Sequence, residues 1–237
     1  MRTLETVERA LRMLQLFDHP GQEMTVGAMA AALGIHRSNA SRFAATLAER
    51  GFLERSTTGE AFRLGPEIGR LGMLSIADRD LVTDAQPVMQ RLADKTGENV
   101  VLSVLDQGEA LDIAQADGSY IVGTRKWRGR RAPLHSSSDG KVFLAFAGAA
   151  EPDDLLRAEI EQVRHQGWAA SLGELEEGLH GLAVPVRDHL GRCVAALSVS
   201  GPDYRLPKER LEEVAAVVTD AAAEISARLG YAAPRDE

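Results

Sequence analysis

Six polar side chains fall within residues 37–46 and are separated mostly by alanine. Arginine can bond two acceptors on guanine and asparagine can bond the edge of adenine, while hydroxyl groups can hold phosphates. On a helix these side chains would lie away from Ala40, Phe43 and Leu47, which repeat at helical spacing. The spacing predicts a helix from about Arg37 to Arg50 with the chemistry of a DNA-contacting face. The candidate DNA-binding residues on it are Arg37, Ser38, Asn39, Ser41, Arg42 and Thr46.

Such a helix needs a rigid neighbour, and the preceding residues carry the signals of one. Ala30 and Gly34 are small residues four apart, which lets a second helix cross closely. Thr25 is placed to cap a short helix from Val26 to Leu33, and Gly34 is placed to end it in a left-handed conformation. Further upstream, apolar residues three and four apart predict a helix that packs on one side. That apolar stripe consists of Leu4, Val7, Leu11, Leu14 and Phe17.

After residue 51 the sequence period changes from that of a helix to that of a strand. Alternating residues on either side of the turn-forming TTGE predict a hairpin, with Phe62 and Leu64 on its second strand. Arg55 and Arg63 would lie on this hairpin and reach the neighbouring DNA backbone or minor groove. Three helices followed by a hairpin make a small winged module, which we assign to residues 1–65.

Two interpretations of this module stay open at this point. Ala30 and Gly34 could belong to an ordinary helical hairpin, with Arg37 and Arg42 only keeping its surface hydrated. Residues 1–65 contain eight arginines against seven acidic residues, whereas residues 66–237 contain 19 basic against 28 acidic residues. This charge split permits nucleic-acid binding without requiring it. The agreement between the capped helix, the polar helix and the hairpin favours DNA binding.

The rest of the chain alternates between helical and strand patterns. Residues 66–79 are predicted to form a connecting helix, and residues 80–237 a second domain. Two pairs of strands are predicted there, with turns at Gln107–Gly108 and His189–Gly191. An antiparallel sheet flanked by helices satisfies this order of elements, so the predicted fold class is α+β.

A serine-rich segment makes the second domain a candidate ligand-binding domain. The hydroxyls of SSSDGK precede a predicted helix whose free amides favour an anion or a polar ligand, but Ser137 or Ser138 could equally cap that helix. Ser198 and Ser200 are two apart on a strand and share a face. They are either pocket-lining groups or satisfied core hydroxyls.

The same segment matches S-x-x-K, the acylating serine and lysine of penicillin-interacting enzymes, through Ser138 and Lys141. No K-T-G or S-D-N element follows, and the histidines lack metal-binding spacing. A hydrolytic or ligand-binding enzyme with an accessory helical domain is therefore the alternative function, and a structural dimerisation protein is a third. We expect no catalytic residue, no cofactor and no metal.

Charge and cysteine content narrow the class of protein further. The 237-residue chain has a net charge of −8 and one cysteine, Cys193, which can form neither an internal disulfide nor a cysteine-based metal centre. The longest apolar runs are far shorter than the ~20 residues that cross a bilayer, and the N-terminus carries charges where a signal peptide is apolar. The sequence predicts a cytoplasmic protein without a membrane partner.

Several stretches resemble the IclR family of bacterial transcription regulators. The segments VERALRMLQLF, MTVGAMAAALGIHRSNASRFAATLAERGFLER and FRLGPEIGRLG are similar to the family's winged helix-turn-helix and linker helix. The segments RRAPLHSSSDGKVFLAF and EEGLHGLAVPVRDHLGRCVAALSVSGPDYRL resemble its effector-binding domain, which is related to GAF domains. The resemblance implies a homodimer, or a dimer of dimers, that binds double-stranded operator DNA and is controlled by a small-molecule effector. Such regulators commonly control neighbouring catabolic genes.

The resemblance also implies which residues bind the effector, and one of them departs from the family pattern. The family usually has a small or apolar residue where this chain has Asp139, and an acidic residue is replaced near Ser171. A ligand carboxylate near Asp139 would be repelled unless Arg131 or the helix dipole compensated, so the sequence does not predict an organic-acid effector. The implied effector-binding residues are Ser138, Asp139, Glu174, Ala183, Pro185, Ser198 and Ser200.

Overall fold

The computed structural model describes residues 4–19, 21–57, 59–77, 80–120 and 128–232. Contacts between Cα atoms divide the chain into two compact units, Met1–Asp78 and Arg79–Glu237. Each unit has its own buried apolar core.

The first unit consists of helices followed by a small antiparallel sheet, which confirms the predicted winged module. The hairpin strands pair with each other, and a short upstream strand that the sequence did not predict pairs with the second of them. In chain order the elements are α1 (Glu5–Leu14), β1 (Met24–Thr25), α2 (Val26–Leu33), α3 (Arg37–Glu49), β2 (Leu53–Arg55), β3 (Ala61–Leu64) and α4 (Pro66–Ala77).

Local signals fix the ends of α2 and the start of α3. The Thr25 hydroxyl accepts a hydrogen bond from the Ala28 amide at 3.2 Å, and Gly34 ends α2 with a φ of 63°, so both predicted caps are confirmed. The His36 side chain caps α3 through the Ser38 amide. Three residues, 34–36, therefore separate the end of α2 from the start of α3, and both helix ends are capped.

The predicted packing of α1 is wrong for most of its apolar stripe. Leu4, Val7 and Leu11 are 75%, 52% and 56% exposed, and the core contact is made by Met13 with Leu14 beside it. Met13 lies nearly opposite Leu11 on the helix, because each residue turns the helix by about 100° and the two are two residues apart. Leu4, Val7 and Leu11 therefore form an uncovered apolar surface in a single chain.

The alternation predicted for the second hairpin strand is also wrong in part. Phe62 is buried, but Leu64 is exposed, and Ala61 is buried in its place. Phe62 belongs to the apolar core of this unit, whereas Ala61, the preceding residue of the strand, is buried outside that cluster.

The second unit is built on one antiparallel sheet with helices on both faces, which confirms the α+β fold class. Six of the described strands follow the order β6-β5-β4-β9-β8-β7, and each strand is antiparallel to its neighbours. In chain order the elements are α5 (Leu81–Thr96), β4 (Asn99–Asp106), β5 (Glu109–Ala116), β6 (Arg131–Ala132), α6 (Ser138–Phe146), α7 (Asp154–Gln166), β7 (Ala169–Leu172), β8 (Leu179–Arg187), β9 (Cys193–Pro202) and α8 (Leu211–Arg228).

The two faces of this sheet differ in the size of their side chains. Helices α5 and α8 cover the face that carries Leu102, Leu182 and Leu197, where large apolar residues fill the core. Helix α6 covers the opposite face, where the buried sheet residues are small: Ala110, Ala132, Ala183 and Ala196. Small side chains let α6 approach the sheet closely and leave space where no large group fills the gap.

Candidate functional site

The exposed face of α3 carries all six of the polar side chains selected from the sequence. Ala40 and Ala44 on the opposite side are fully buried, so the helix is held by one face and free on the other. Among the described residues, Arg37 and Arg42 form no ion pair. Their guanidinium groups can therefore meet an anion or a base edge without first losing a partner.

The hydroxyls of α3 are less equivalent than the sequence suggests. Thr46 donates its single hydroxyl hydrogen to the Arg42 carbonyl at 2.9 Å, and the Ser38 hydroxyl lies 2.8 Å from the His36 ring nitrogen. A phosphate oxygen is also an acceptor, so Thr46 would have to give up its internal bond to donate to one. Within the described part of the chain, the Ser41 hydroxyl has no such internal partner.

The hairpin arginines are both occupied by protein groups. Arg55 donates to the Gly59 carbonyl at 3.0 Å and lies 4.8 Å from the centre of the Phe62 ring. Arg63 pairs with Glu54 at 2.7 Å across the hairpin, in an exposed ion pair. Exposed pairs contribute less than ~1 kcal/mol, so a phosphate can replace Glu54 at little cost.

The second unit holds a cavity of about 40 Å³ between α6 and the sheet. It is bordered by the first turn of α6, by β4 and β5, and by the paired ends of β8 and β9. Most of its lining side chains are hydroxyls, carboxylates or small apolar groups. The lining residues are Val101, Asp112, Ala132, Ser137, Ser138, Asp139, Ser171, Leu175, Leu179, Gly181, Ser198 and Ser200.

Four of the seven residues that the resemblance implied line this cavity: Ser138, Asp139, Ser198 and Ser200. Ala183 and Pro185 do not, and the part of β8 that does line it contains Gly181, the register partner of Ser200. Pro185 lies four residues beyond Gly181 along β8, about 13 Å at 3.3 Å per residue. Ala183 is fully buried in the apolar cluster beneath α6.

Glu174 lies outside the cavity and holds a buried lysine instead. The side chain of Lys141 is fully buried, and its Nζ lies 2.6 Å from carboxylate oxygens of both Glu159 and Glu174 and 3.1 Å from the Ala170 carbonyl. Three acceptors use all three donors of an ammonium group. Lys141 thus joins α6, α7 and the loop after β7.

This arrangement removes the chemical basis of the S-x-x-K interpretation. A lysine that activates a serine must be neutral and within hydrogen-bond reach of the hydroxyl. The Nζ of Lys141 is held by the carboxylates of Glu159 and Glu174, whereas the Ser138 hydroxyl contacts the Asp139 carboxylate at 3.4 Å. The pair therefore cannot act as nucleophile and base.

Two buried carboxylates meet at one wall of the cavity, and one of them, Asp112, is not among the residues that the sequence patterns indicate. The Ser103 hydroxyl lies 2.7 Å from Oδ1 of Asp112 and 3.0 Å from Oδ1 of Asp139. Ser103 and Asp112 are register partners on β4 and β5, which is the signal that could have identified Asp112. One hydroxyl has one hydrogen, so it cannot satisfy both carboxylates at once.

Burial makes this pair retain a proton at higher pH than ordinary aspartates. Burial, together with the charge of Asp139, raises the pKa of Asp112 to about 7. The hydrogen bond from Ser103 and the charge of Arg130 act in the opposite direction and lower this pKa. Burial likewise raises the pKa of Asp139 to about 6, against hydrogen bonds from Ser198, Ser103 and Ser138. The two carboxyl groups titrate as a unit, because the charge of one disfavours ionisation of the other.

Arg131, the expected counter-charge to Asp139, faces elsewhere. Its guanidinium group donates to the Asp106 carbonyl at 3.0 Å and forms an ion pair with the Asp106 carboxylate. Arg131 therefore does not supply a positive charge that would offset the Asp139 carboxylate.

An exposed polar helix in a winged module, joined to a sheet domain with a polar cavity, defines a DNA-binding regulator with a sensory domain. Models of two families match the chain: the IclR helix-turn-helix domain at residues 6–57, and the bacterial transcriptional regulator IclR C-terminal domain at residues 73–157 and 150–227. The chain belongs to the IclR family of transcription regulators, which are not enzymes.

Curated relatives and solved structures agree with this membership. The HTH-type transcriptional regulator KdgR of Escherichia coli (strain K12) is 30% identical over 248 residues, covering 96% of this chain and 94% of KdgR. XynR of the same organism is 28% identical over 252 residues, covering 98% and 100%. The crystal structure of Pseudomonas aeruginosa HmgR matches with a TM-score of 0.86 at 25% identity, covering 98% and 100%.

No helix within the described residues is both long enough and apolar enough to span a bilayer.

Proposed function

We propose that this regulator binds double-stranded operator DNA through α3 and releases or grips it in response to a small molecule in the α6 cavity. The exposed polar face of α3 carries the proposal, because a second helix with a fixed cap holds its opposite face. A helix presented in this way fits the major groove.

Individual roles follow from which side chains are free. Asn39 and Arg42 would read base edges, since amide and guanidinium groups can each make paired bonds to a base. Arg37 and Ser41 would hold phosphates, and the hairpin would extend the contact along the backbone. Ser38 and Thr46 would have to exchange an internal bond first.

In the sensory domain we propose Ser138, Asp139, Ser198 and Ser200 as effector contacts. All four line the cavity from two sides, the first two from α6 and the last two from β9. Glu174 would act indirectly, by holding Lys141 and with it the position of α6. An effector works by binding one arrangement of the regulator better than another.

The uncovered apolar surface of the first unit supports a homodimer. Leu4, Val7 and Leu11 on α1 are exposed, and so are Leu71 and Leu74 on α4. Symmetric pairing would cover such residues on both copies. A dimer of dimers is a further expectation from the family, as is a cytoplasmic location.

Footprinting on the DNA upstream of the regulator's own gene and of adjacent catabolic genes tests this proposal. We expect two protected half-sites related by a two-fold axis, with centres about one helical turn, or ~34 Å, apart. The chain with Arg37 and Arg42 both replaced by alanine should leave the same DNA unprotected. Equal protection by both proteins would contradict the assignment of α3.

A further inference from the structure

The α6 cavity has the wrong electrostatics for an anionic ligand. Among the described residues, its lining contains two carboxyl groups, Asp112 and Asp139, and no lysine or arginine. Two cations of the described part of this domain are engaged elsewhere: Lys141 by Glu159 and Glu174, and Arg131 by Asp106. Arg130 acts on Asp112 from the segment before β6, but it does not line the cavity.

Two buried serines place their hydroxyls in the cavity beside the carboxylates. Ser138 and Ser198 are 5% and 3% exposed, and both bond to the Asp139 carboxylate, Ser138 at 3.4 Å. The Ser198 hydroxyl also lies 3.5 Å from the Val101 carbonyl. Hydroxyl donors normally lie 2.7 to 2.8 Å from an acceptor, so the contacts at 3.4 and 3.5 Å are long. The cavity thus combines hydroxyl groups with carboxylate acceptors around one small volume.

We propose that the effector carries a protonated amino group, which binds in this cavity between the carboxylates of Asp112 and Asp139 and the hydroxyls of Ser198 and Ser200. This inference rests on the proposed sensory role of the domain and specifies its ligand class. An ammonium group has three donors and no acceptor, which matches a wall of carboxylate and hydroxyl oxygens. A carboxylate in the same place would face two like charges.

The size of the cavity sets which part of the ligand it holds. A water-sized probe needs about 10 to 15 Å³, so 40 Å³ admits a group of roughly three heavy atoms. That is the size of an ammonium group with one or two carbons. Leu175 and Leu179 line the same cavity and can cover the carbon stem.

Binding of an ammonium group is linked to the proton that the acid pair retains. The ammonium charge replaces that proton, so binding releases it to solvent. As the pH rises, the affinity for an ammonium group should increase by up to tenfold per pH unit below the pKa values of Asp112 and Asp139. Above those pKa values the affinity should be constant. Within the described residues, the charged groups that act on the pair are Arg130 and the two carboxylates themselves, and the other groups that act on it are serine hydroxyls and a backbone amide.

Calorimetric titration of the full chain with three probes of similar size tests the ligand class. The probes are 2-aminoethanol, which is cationic, ethylene glycol, which is neutral, and glycolate, which is anionic. We expect saturable binding of 2-aminoethanol, with a heat that depends on the ionisation enthalpy of the buffer because a proton is released. Asp139→Asn and Asp112→Asn should each weaken it at least ~tenfold, whereas the exposed control Asp220→Asn should not.

Three results would overturn the proposal: tighter binding of glycolate than of 2-aminoethanol, equal binding of ethylene glycol, or no binding of 2-aminoethanol to the folded chain. Footprinting with the same preparation shows whether the amino-ligand proposal alone fails or the proposed DNA-binding function fails as well. Protected DNA together with glycolate binding rejects only the amino ligand. Unprotected DNA together with 2-aminoethanol binding rejects the regulator and leaves the amino site standing.

Discussion

Replacing Asp112 with asparagine should change how the stability of the second unit depends on pH. The pKa of Asp112 rises in the fold from 3.8 to about 7, mainly because of burial, so the native state holds a proton that the unfolded chain releases. Stability of the native chain therefore falls as the pH increases from about 4 through about 7. Asparagine keeps the shape and an acceptor for Ser103, and it carries no charge at any of these pH values.

The magnitude follows from the size of the pKa shift. A rise from 3.8 to about 7 is roughly three pKa units, and each unit corresponds to 1.36 kcal/mol, which gives about 4 kcal/mol. We take this as an upper limit for the single proton that Asp112 and Asp139 share, so the shift of Asp139 is not added. At about pH 8 the Asp112→Asn chain should be more stable by up to this amount, and at about pH 4 the two should differ little.

Urea unfolding followed by tryptophan fluorescence measures this difference in the free energy of unfolding of the second unit. The chain has two tryptophans, neither before residue 79 in the sequence, and Trp168 packs against the core of the second unit. Asp220→Asn, which removes an exposed carboxylate, is the matched control and should leave the pH dependence unchanged. A constant stability difference between Asp112→Asn and the native chain across this pH range would refute the assignment of a buried, proton-sharing pair.

Two further predictions concern the cavity and the dimer. Gly181→Ala should abolish the effector response in a reporter assay while operator affinity stays unchanged. The added Cβ would lie 3.2 Å from the Ser138 hydroxyl and fill the cavity. A normal effector response would show that this end of β8 is not part of the effector site. Replacing Gly69 and Gly72 with alanine tests for a close partner helix at α4, since nothing in one chain lies within 4 Å of either new Cβ. In a monomer each change should stabilise the helix by ~0.5 to 1 kcal/mol. In the proposed dimer the two changes together should weaken self-association, as measured by sedimentation equilibrium. Unaltered association would place the dimer interface elsewhere.

The winged module could be predicted from the sequence because its signals are local. Thr25 and Gly34 mark the ends of α2 by hydrogen bonding and backbone conformation that involve only neighbouring residues. The spacing of Ala40 and Ala44 likewise identifies the buried side of α3, and thus its exposed side. Each of these inferences depends only on residues within one segment that is shorter than four helical turns.

The cavity could be predicted only in part, because it depends on how distant strands align. Ser138 and Asp139 were selected through a resemblance, and Ser198 and Ser200 through their shared strand face. Asp112 was missed, since its place beside Asp139 follows from the register of β4 with β5 and from the position of α6 above them.

The exposed stripe of α1 shows a second limit of sequence patterns. Apolar spacing identifies a surface that avoids water, but it does not say whether the covering surface comes from the same chain. Met13 fills the core instead of Val7 and Leu11, which are left for another surface.

Operator affinity of the Arg42→Ala chain tests the role of α3 most directly. Fluorescence anisotropy with the footprinted operator should show a loss of about 1 to 3 kcal/mol, or roughly 5- to 150-fold, with relaxed preference at one base position if Arg42 reads that base. Arg157→Ala on α7 removes an equal charge from an exposed site in the second unit and should leave the affinity unchanged. Equal affinities of the Arg42→Ala, Arg157→Ala and native chains would contradict the claim that α3 contacts DNA.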